Sequence, residues 1–576
     1  MSDIGELENY LEEFCSENPE IYNHKLIDEP DFRERWQVVA AAQFNYQFDG
    51  KELSLAIGLD SSFPHNLPHL FLIPWDQLGF IPHIEHDGWI CYAQKEGLVL
   101  NSEVPLAILN EAIERAITIL YEGSNRENKS DFVDEFESYW LRQENIKKYS
   151  SFLTLSEEIE VVYTGEKSEG NSFLFKKENN IDDFLNNQSK RNFTTVSALY
   201  VPLDKNNVIP PKYGSNWDIQ QIRDIVWSNL TERKRKQLSN KLSKKKLKNI
   251  ERLFISIPRN KQGQSLIGFE FQYSSIEHPL LEKGKVNKII PLGVNRYDKQ
   301  FITSRSGEAH KVSRNKVLLV GCGSIGGYIG FELARAGIAR MTLVDYDSMS
   351  IENVYRHSLG KNTFGKNKAE ALKEVLEDKI PYLKIESYNG KIEELINNDI
   401  NLEDFDLAIF AIGEPSVELY LNRIITKNDI NTKAIFTWVE SHGIGGHALL
   451  TNNSNSGCFR CLFKYVELDN KQEFYNRASF AAPGQTFFKS IDGCGNTFTP
   501  YSALSALNTA SLATKLAINT FRNNVEGNPL RSWKGDKKEF INSGFELSNR
   551  YNQTEEGLFE NRYAYIDHTC SICDGD

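Results

Sequence analysis

The chain has 576 residues, enough for three or four domains, and its 40% hydrophobic and 25% charged content is that of a folded globular protein. Its 66 basic and 79 acidic residues leave a net charge of −13, which argues against a general nucleic-acid binder. No apolar run is long enough to span a bilayer, and the acidic, amphipathic start MSDIGELENYLEEF is not a signal peptide, so a soluble cytoplasmic protein with no membrane partner is expected.

A helix opens the chain, with Ile4, Leu7, Leu11 and Phe14 on one face. Residues 35–59 read as strands joined by a tight turn at Asp49-Gly50. The stretch FPHNLPHLFLIP is a proline-punctuated strand, and after Cys91 the segment VPLAILNEAIERAITILYEG is a helix with Pro105 in its first turn. Residues 1–148 are thus expected to form one α/β unit. Residues 149–290 read as a β-rich linker domain, in which pieces such as EIEVVYTG and ERLFISIP flank a basic stretch, residues 232–252, with ten Lys or Arg. Leu238, Leu242 and Leu247 suit one helical face, which suggests a solvated helix docked by its leucines; a docking surface for an acidic partner is the alternative, with nucleic acid behind it.

Residues 291–576 change pattern. NKVLLVGCGSIGGYIGFELARAGIARMTLVDYD reads strand, glycine turn, helix, strand, the opening of a doubly wound sheet. Further strands are expected at DLAIFAIG and AIFTWVES, and the last clear helix is YSALSALNTASLATKLAINTF. Gly321, Gly323 and Gly326 form G-x-G-x-x-G between strand and helix, which permits a tight turn and close approach of phosphate to the helix N-terminus. Asp345 ends the next strand, where a carboxylate can bind ribose hydroxyls. By itself this set suits NAD, FAD or ATP.

Two of the eight cysteines, Cys458 and Cys461, form one C-x-x-C pair, and Cys570 and Cys573 form another. Two such pairs suggest tetrahedral zinc clipping the end of the chain onto a domain, the alternative being an unmetallated remnant or a redox pair. Cys15 lies on the apolar side of the first helix and reads as core. Cys494 sits in DGCGNTFTPYSAL, just ahead of a helix expected to be capped by Thr499 with Pro500 at its first position. A helix N-terminus favours a thiolate, and the flanking glycines leave Cys494 open, which suggests a nucleophile.

The stretch DYDSMSIENVYRHSLGKNTFGKNKAEAL resembles the ThiF/MoeB adenylation domains shared with ubiquitin-activating enzymes. Their pattern is D-x-D, N-x-x-R and G-x-x-K, here Asp345 and Asp347, Asn353 and Arg356, and Gly365 with Lys368. The resemblance implies a Rossmann-like domain in which ATP, with Mg2+, adenylates a carboxylate. Arg356 and Lys368 would stabilise charge on the phosphates, and Asn353 would orient them. It also implies structural Zn2+ on the four paired cysteines. Two positions depart from the family. Gly413 stands where the family has its magnesium-binding Asp, so Glu414 or Asp406 would have to serve. The R-Y-x-R-Q element is RYDKQ, with Arg296 kept and Lys299 in the second basic slot; in relatives it reaches into the partner subunit's ATP site, which implies a homodimer.

The first domain resembles ubiquitin-conjugating enzymes. FPHNLP matches their [YF]-P-x-x-x-P turn, and IPHIEHDGWIC matches H-P-N…G-x-[IV]-C, with Gly88, Ile90 and Cys91 in place. Their His-Pro-Asn tripeptide is replaced by Ile81, Pro82 and His83, so that His83 would donate a hydrogen bond in place of the asparagine or act as a base. A conjugating domain ahead of an activating domain resembles the activating/conjugating fusion proteins of CBASS anti-phage operons. That resemblance implies an enzyme that adenylates the glycine-type C-terminus of a cGAS-like nucleotidyltransferase and carries it as a thioester on Cys494. Cys91 would then take it and pass it to a target lysine. A sulfur-carrier-type adenylyltransferase without conjugation, or an inactive scaffold, are the alternatives.

Overall fold

The computed structural model describes residues 3–28, 37–94, 96–166, 172–177, 181, 184, 194–244, 249–261, 263–274, 277–304, 312–396, 398–468, 471–490 and 497–574. Cys494 and Leu247 lie outside the described residues. The chain divides into two compact units, one made of residues 1–151, 155–176 and 193–295 and the other of 152–154, 177–192 and 296–576.

The first unit opens with α1 (Ile4–Glu17), which buries Leu7, Leu11, Phe14 and Cys15 on its inner face. Cys15 is therefore a core residue, and burial raises its thiol pKa to about 12. Four strands, β1 (Ile21–Leu26), β2 (Ala40–Phe48), β3 (Lys51–Leu59) and β4 (His69–Leu72), form an antiparallel meander in sequential order. Asp49 and Gly50 both have positive φ, +44° and +73°, the backbone that a two-residue hairpin needs to match strand twist. The proline-punctuated stretch is strand only at its middle, since Phe63 to Asn66 turn before β4 begins. Next comes α2 (Pro105–Ser124), with Pro105 at its first position, whose Leu109, Ile113, Ala116 and Leu120 pack into the same core as α1. Two short helices follow, α3 (Asp131–Asp134) and α4 (Phe136–Trp140).

Seven strands then close into a barrel: β5 (Lys147–Ser151), β6 (Glu160–Glu166), β7 (Ser172–Phe175), β8 (Thr194–Pro202), β9 (Ile250–Pro258), β10 (Gln264–Gln272) and β11 (Lys288–Arg296), in the order β10-β11-β5-β7-β6-β8-β9. Between β8 and β9 run α5 (Ile219–Ser228) and the basic helix α6 (Glu232–Lys244). Leu238 and Leu242 of α6 are buried in an apolar cluster with one face of β8, β9 and β10, and its Lys234 and Arg233 pair with Asp204 and Glu158. The basic helix is docked by its leucines, as its spacing suggests.

The second unit is built on a seven-stranded sheet. Its strands are β12 (Lys316–Val320), β13 (Arg340–Asp345), β14 (Lys384–Asn389), β15 (Leu407–Phe410), β16 (Lys433–Val439), β17 (Gly445–Thr451) and, after the hairpin β18 (Phe463–Leu468) and β19 (Lys471–Asn476), β20 (Leu530–Lys534). The order is β14-β13-β12-β15-β16-β17-β20, parallel through β16 and antiparallel beyond it. Alternate residues of β12 enter separate cores. Val317 and Leu319 pack with Ile329 and Leu333 of α7 (Ser324–Arg335) and Ala513 of α10 (Ala503–Phe521), while Leu318 and Val320 pack with Leu421 and Ile425 of α9 (Pro415–Lys427). Both faces are thus covered, as a parallel sheet requires. Helix α8 (Lys368–Lys379) precedes β14. Strand order reverses at β12, which lies between β13 and β15, so the crevice beyond the C-terminal ends of β12 and β15 is the expected ligand position. No helix among the described residues is long and apolar enough to cross a membrane.

The helix after Cys494 starts later than its sequence suggests. Its cap is Ser502, whose hydroxyl accepts from the Ser505 N–H, and not Thr499. Residues 497–498 are held extended against 489–490, and the Pro500 carbonyl accepts from the His442 N–H, so the chain turns helical only beyond Pro500.

Candidate active sites

The glycine turn lies in that crevice. Gly321 has φ +86°, and a Cβ there would meet the Ala411 carbonyl oxygen at 2.5 Å. A Cβ on Gly326 would stand 1.7 Å from the Gly321 carbonyl oxygen, so only glycine lets α7 pack this close to its own turn. Gly323 faces open space and caps α7, leaving backbone N–H groups free for an anion. A cavity of about 170 Å3 opens here, lined by Gly321, Gly323, Asp345, Asp347, Lys368 and Glu414 among others.

Asp345 is 9% exposed and both its oxygens are engaged, Oδ2 by the Cys322 N–H at 2.7 Å and Oδ1 by the Asp347 N–H at 2.8 Å. Burial raises its pKa, against these two bonds and Lys368. Lys368 Nζ sits 2.8 Å from Asp347 Oδ2. Asn367, which sequence reading passed over, caps α8 and donates from its side chain to the Asp345 carbonyl, fixing D-x-D against the lysine. Asn353 and Arg356 are not among the residues lining the cavity. They bond each other, Arg356 Nη2 donating to Asn353 Oδ1 at 2.9 Å, and the guanidinium lies over the Tyr501 ring at 5.1 Å.

Of the two carboxylates considered for magnesium, Glu414 lines the cavity and accepts from the Tyr346 hydroxyl at 3.1 Å. Asp406 is at the other end of β15, where its Oδ2 accepts from the Lys316 N–H, so it is not part of this site. A third carboxylate, Glu418, is buried behind the turn. It accepts from the Gly413 N–H, and burial raises its pKa to about 8. His357 also went unnoticed in sequence. Its Nε2 meets the Cys322 carbonyl at 2.8 Å while Nδ1 accepts from the Leu359 N–H, and burial lowers its pKa to about 4. It braces the glycine turn as a neutral ring. Arg296 of the RYDKQ element is paired with Asp298 of its own chain at 2.9 Å.

Cys458, Cys461, Cys570 and Cys573 come together, with all four sulfurs within 4.8 Å of one another. Three pairs are separated by 3.9, 3.9 and 3.4 Å. Zinc at about 2.3 Å from each tetrahedral sulfur separates sulfurs by roughly 3.8 Å, so these residues fit the ion. Asn422 donates to Cys458 Sγ at 3.5 Å, an outer contact that orients the thiolate.

In the first unit, Cys91 is partly exposed. The motif before it is built onto β4: the Leu72 N–H donates to Gly88 O and the Ile90 N–H to Leu70 O, both at 2.8 Å. Ile90 is fully buried, and Gly88 has φ +90°, with the Leu72 carbonyl oxygen 2.2 Å from where a Cβ would be. The Cys91 N–H then donates to the His83 carbonyl at 2.8 Å, which sets the cysteine beside the histidine. His83 has φ +65° and donates its N–H to the Tyr139 hydroxyl at 2.9 Å. Its Nε2 is 3.0 Å from Asp131 Oδ2 and its Nδ1 3.5 Å from Glu135 Oε1. Burial opposes charge on the ring, yet Cys91 and the two carboxylates outweigh it and raise its pKa to about 9. Tyr213, from the segment before α5, donates to the Ile84 carbonyl at 3.1 Å and packs on Tyr139. Sequence reading missed Asp131, Glu135, Tyr139 and Tyr213. The first three recur every four residues, a spacing legible in sequence, although Glu135 itself is the turn residue between α3 and α4.

Residues 297–534 match the ThiF family, and residues 26–149 match prokaryotic E2 family B. The chain joins an E2-like domain to a ThiF-type adenylation domain. By that domain content it is an activating and conjugating enzyme of the ubiquitin-like kind. It is 24% identical over 488 residues to the ATP-dependent ubiquitin transferase-like protein Cap2 of Pseudomonas aeruginosa, covering 80% of this chain and 84% of that one. To the protein of the same name from Escherichia coli it is 24% identical over 495 residues, 76% of this chain and 80% of that one. A crystal structure of E. coli MccB with AMPCPP and MccA matches 46% of this chain and 68% of that chain at 17% identity and a TM-score of 0.32, too low to establish a shared fold.

Proposed function

We propose that this chain activates the glycine-type C-terminus of a cGAS-like nucleotidyltransferase and conjugates it to a target lysine in cytoplasmic anti-phage defence of the CBASS type. Residues 1–148 are the conjugating domain, 149–290 the linker and 291–576 the activating domain, which works as a homodimer. Gly321, Gly323 and Lys368 hold the ATP phosphates, Asp345 and Asp347 the nucleoside side, and Glu414, which lines the cavity, would hold Mg2+. Asn353 and Arg356 complete the phosphate site when substrate is bound. A bound magnesium ion would neutralise charge on the pyrophosphate leaving group. The donor carboxylate attacks the α-phosphate and pyrophosphate leaves. Cys494 Sγ attacks the acyl carbon and AMP leaves. Cys91 Sγ displaces the Cys494 thiolate, and a lysine amine displaces the Cys91 thiolate to form an amide.

The observation that carries this reading is a partly exposed cysteine on an E2-like loop, against a histidine, in the same chain as an adenylation cavity. Intact-mass analysis tests it. With ATP, magnesium and the nucleotidyltransferase, an adduct that thiol reductant removes and that maps to Cys494 and Cys91 is expected. Pyrophosphate release without any adduct would point to a sulfur-carrier-type adenylyltransferase instead.

A further inference from the structure

We infer that Asp131 and Glu135 hold the His83 ring as a doubly protonated cation beside Cys91, so that His83 stabilises negative charge during acyl transfer and is not the base that takes the amine proton. This rests on the reading of Cys91 as the acyl carrier and decides between the two roles open to His83. The geometry decides it. A neutral imidazole has one N–H and one bare nitrogen. Here both ring nitrogens have a carboxylate oxygen nearby: Nε2 is hydrogen-bonded to Asp131 Oδ2 at 3.0 Å, and Nδ1 lies at an ion-pair distance of 3.5 Å from Glu135 Oε1, outside hydrogen-bond geometry. A bare nitrogen facing a carboxylate would set two lone pairs against each other, whereas a second N–H turns the contact into an ion pair. The ring side chain is only 15% exposed, so water is poorly placed to relieve that repulsion.

The charged groups around the ring support the same state. On the loop side is the Cys91 thiol, and on the helical side are Asp131, Glu135 and the Tyr139 hydroxyl, which lies 3.5 Å from Glu135 Oε2. Burial raises the Glu135 pKa, and the charge on His83, followed by the Tyr139 hydroxyl and Lys261, acts to lower it. Burial opposes the ring's charge; in the free protein the thiol and both carboxylates overcome it, and once Cys91 is acylated the two carboxylates alone hold it. The cation is a donor with no lone pair to spare.

The transfer step follows. The neutral amine nitrogen attacks the thioester carbonyl carbon, and the tetrahedral oxyanion forms near the cation. The C–S bond breaks, its electron pair returns to Cys91 Sγ, and the leaving thiolate is stabilised by His83. The excess amine proton goes to solvent. Asp131 and Glu135 are positioning residues: they act on the reaction only through the ring.

Two measurements on the full chain test this. In the first, histidine labelled at Cε1 is followed by NMR across pH, with His83 assigned by its loss in His83→Gln. The wild-type ring is expected to stay protonated through neutral pH and to titrate near 9. Asp131→Asn combined with Glu135→Gln should return it toward the ordinary histidine range of about 6.5. In the second, the Cys91 thioester is discharged with free lysine. His83→Gln should slow discharge about 100-fold, a typical loss for one oxyanion donor. His83→Arg, a cation that cannot serve as a base, should retain most of the rate. A wild-type ring titrating near 6.5, or Arg as slow as Gln in a variant that melts like wild type, would overturn the proposal. Absence of any wild-type Cys91 thioester would overturn the relay itself, while the NMR titration, which needs no donor, still decides the charge of His83.

Discussion

Gly88 sets the path of the Cys91 loop. Its positive φ and the Leu72 carbonyl at 2.2 Å from any Cβ leave no room for a side chain. Gly88→Ala should therefore cost about 2 kcal/mol or more and pull the loop off β4, lowering the melting temperature of the full chain and slowing Cys91 loading more than Cys494 loading. An unchanged melting temperature would contradict the geometry. The same residue explains why Gly-x-Ile-Cys is legible in sequence. Ile90 goes inward and Gly88 lies under a carbonyl, and both demands act within four residues of Cys91. His83 is legible only in part. Its place before the motif is visible, but the two carboxylates that decide its charge lie some fifty residues on, brought there by α3 and α4.

Among the elements, the cysteine cluster makes the sharpest statement. Cys458 and Cys461 begin the short turn before β18, and Cys570 and Cys573 lie 112 residues further on, so a metal there ties that later segment to the core that covers β15 and β16. Purified protein should carry one zinc per chain by elemental analysis. Its removal by a chelator, or Cys570→Ser, should lower the melting temperature by about 5 °C or more while the first unit stays folded. Metal-free protein with full thermal stability would exclude a structural role. The helices were less uniformly legible. α1, α2 and α6 follow from apolar spacing, because each packs one face on a core. The start of α10 did not follow, because Thr499 and Pro500 carry good local start signals that strand pairing at 497–498 and the bond from His442 override.

At the scale of the whole molecule, the proposed relay orders its two cysteines. Cys494→Ala should permit ATP-dependent pyrophosphate release and abolish every thioester, while Cys91→Ala should leave the Cys494 thioester and block transfer to lysine. Conjugation at the wild-type level by Cys91→Ala, read on a denaturing gel, would refute the order. The sequence by itself determined the E2-like and ThiF-type domains, the glycine turn with Asp345, Asp347 and Lys368, and the zinc-type cysteine pairs. Those features are local: each is a backbone conformation or a spacing that a few neighbouring residues impose. Tertiary structure alone decided that Asp406 lies at the wrong end of its strand, that Glu414 lines the cavity with Glu418 buried behind it, and that Asp131 and Glu135 flank His83. These depend on which end of a strand faces the crevice and on which distant carboxylate a fold brings to a ring. Charge and burial act through space, and sequence order does not record that distance.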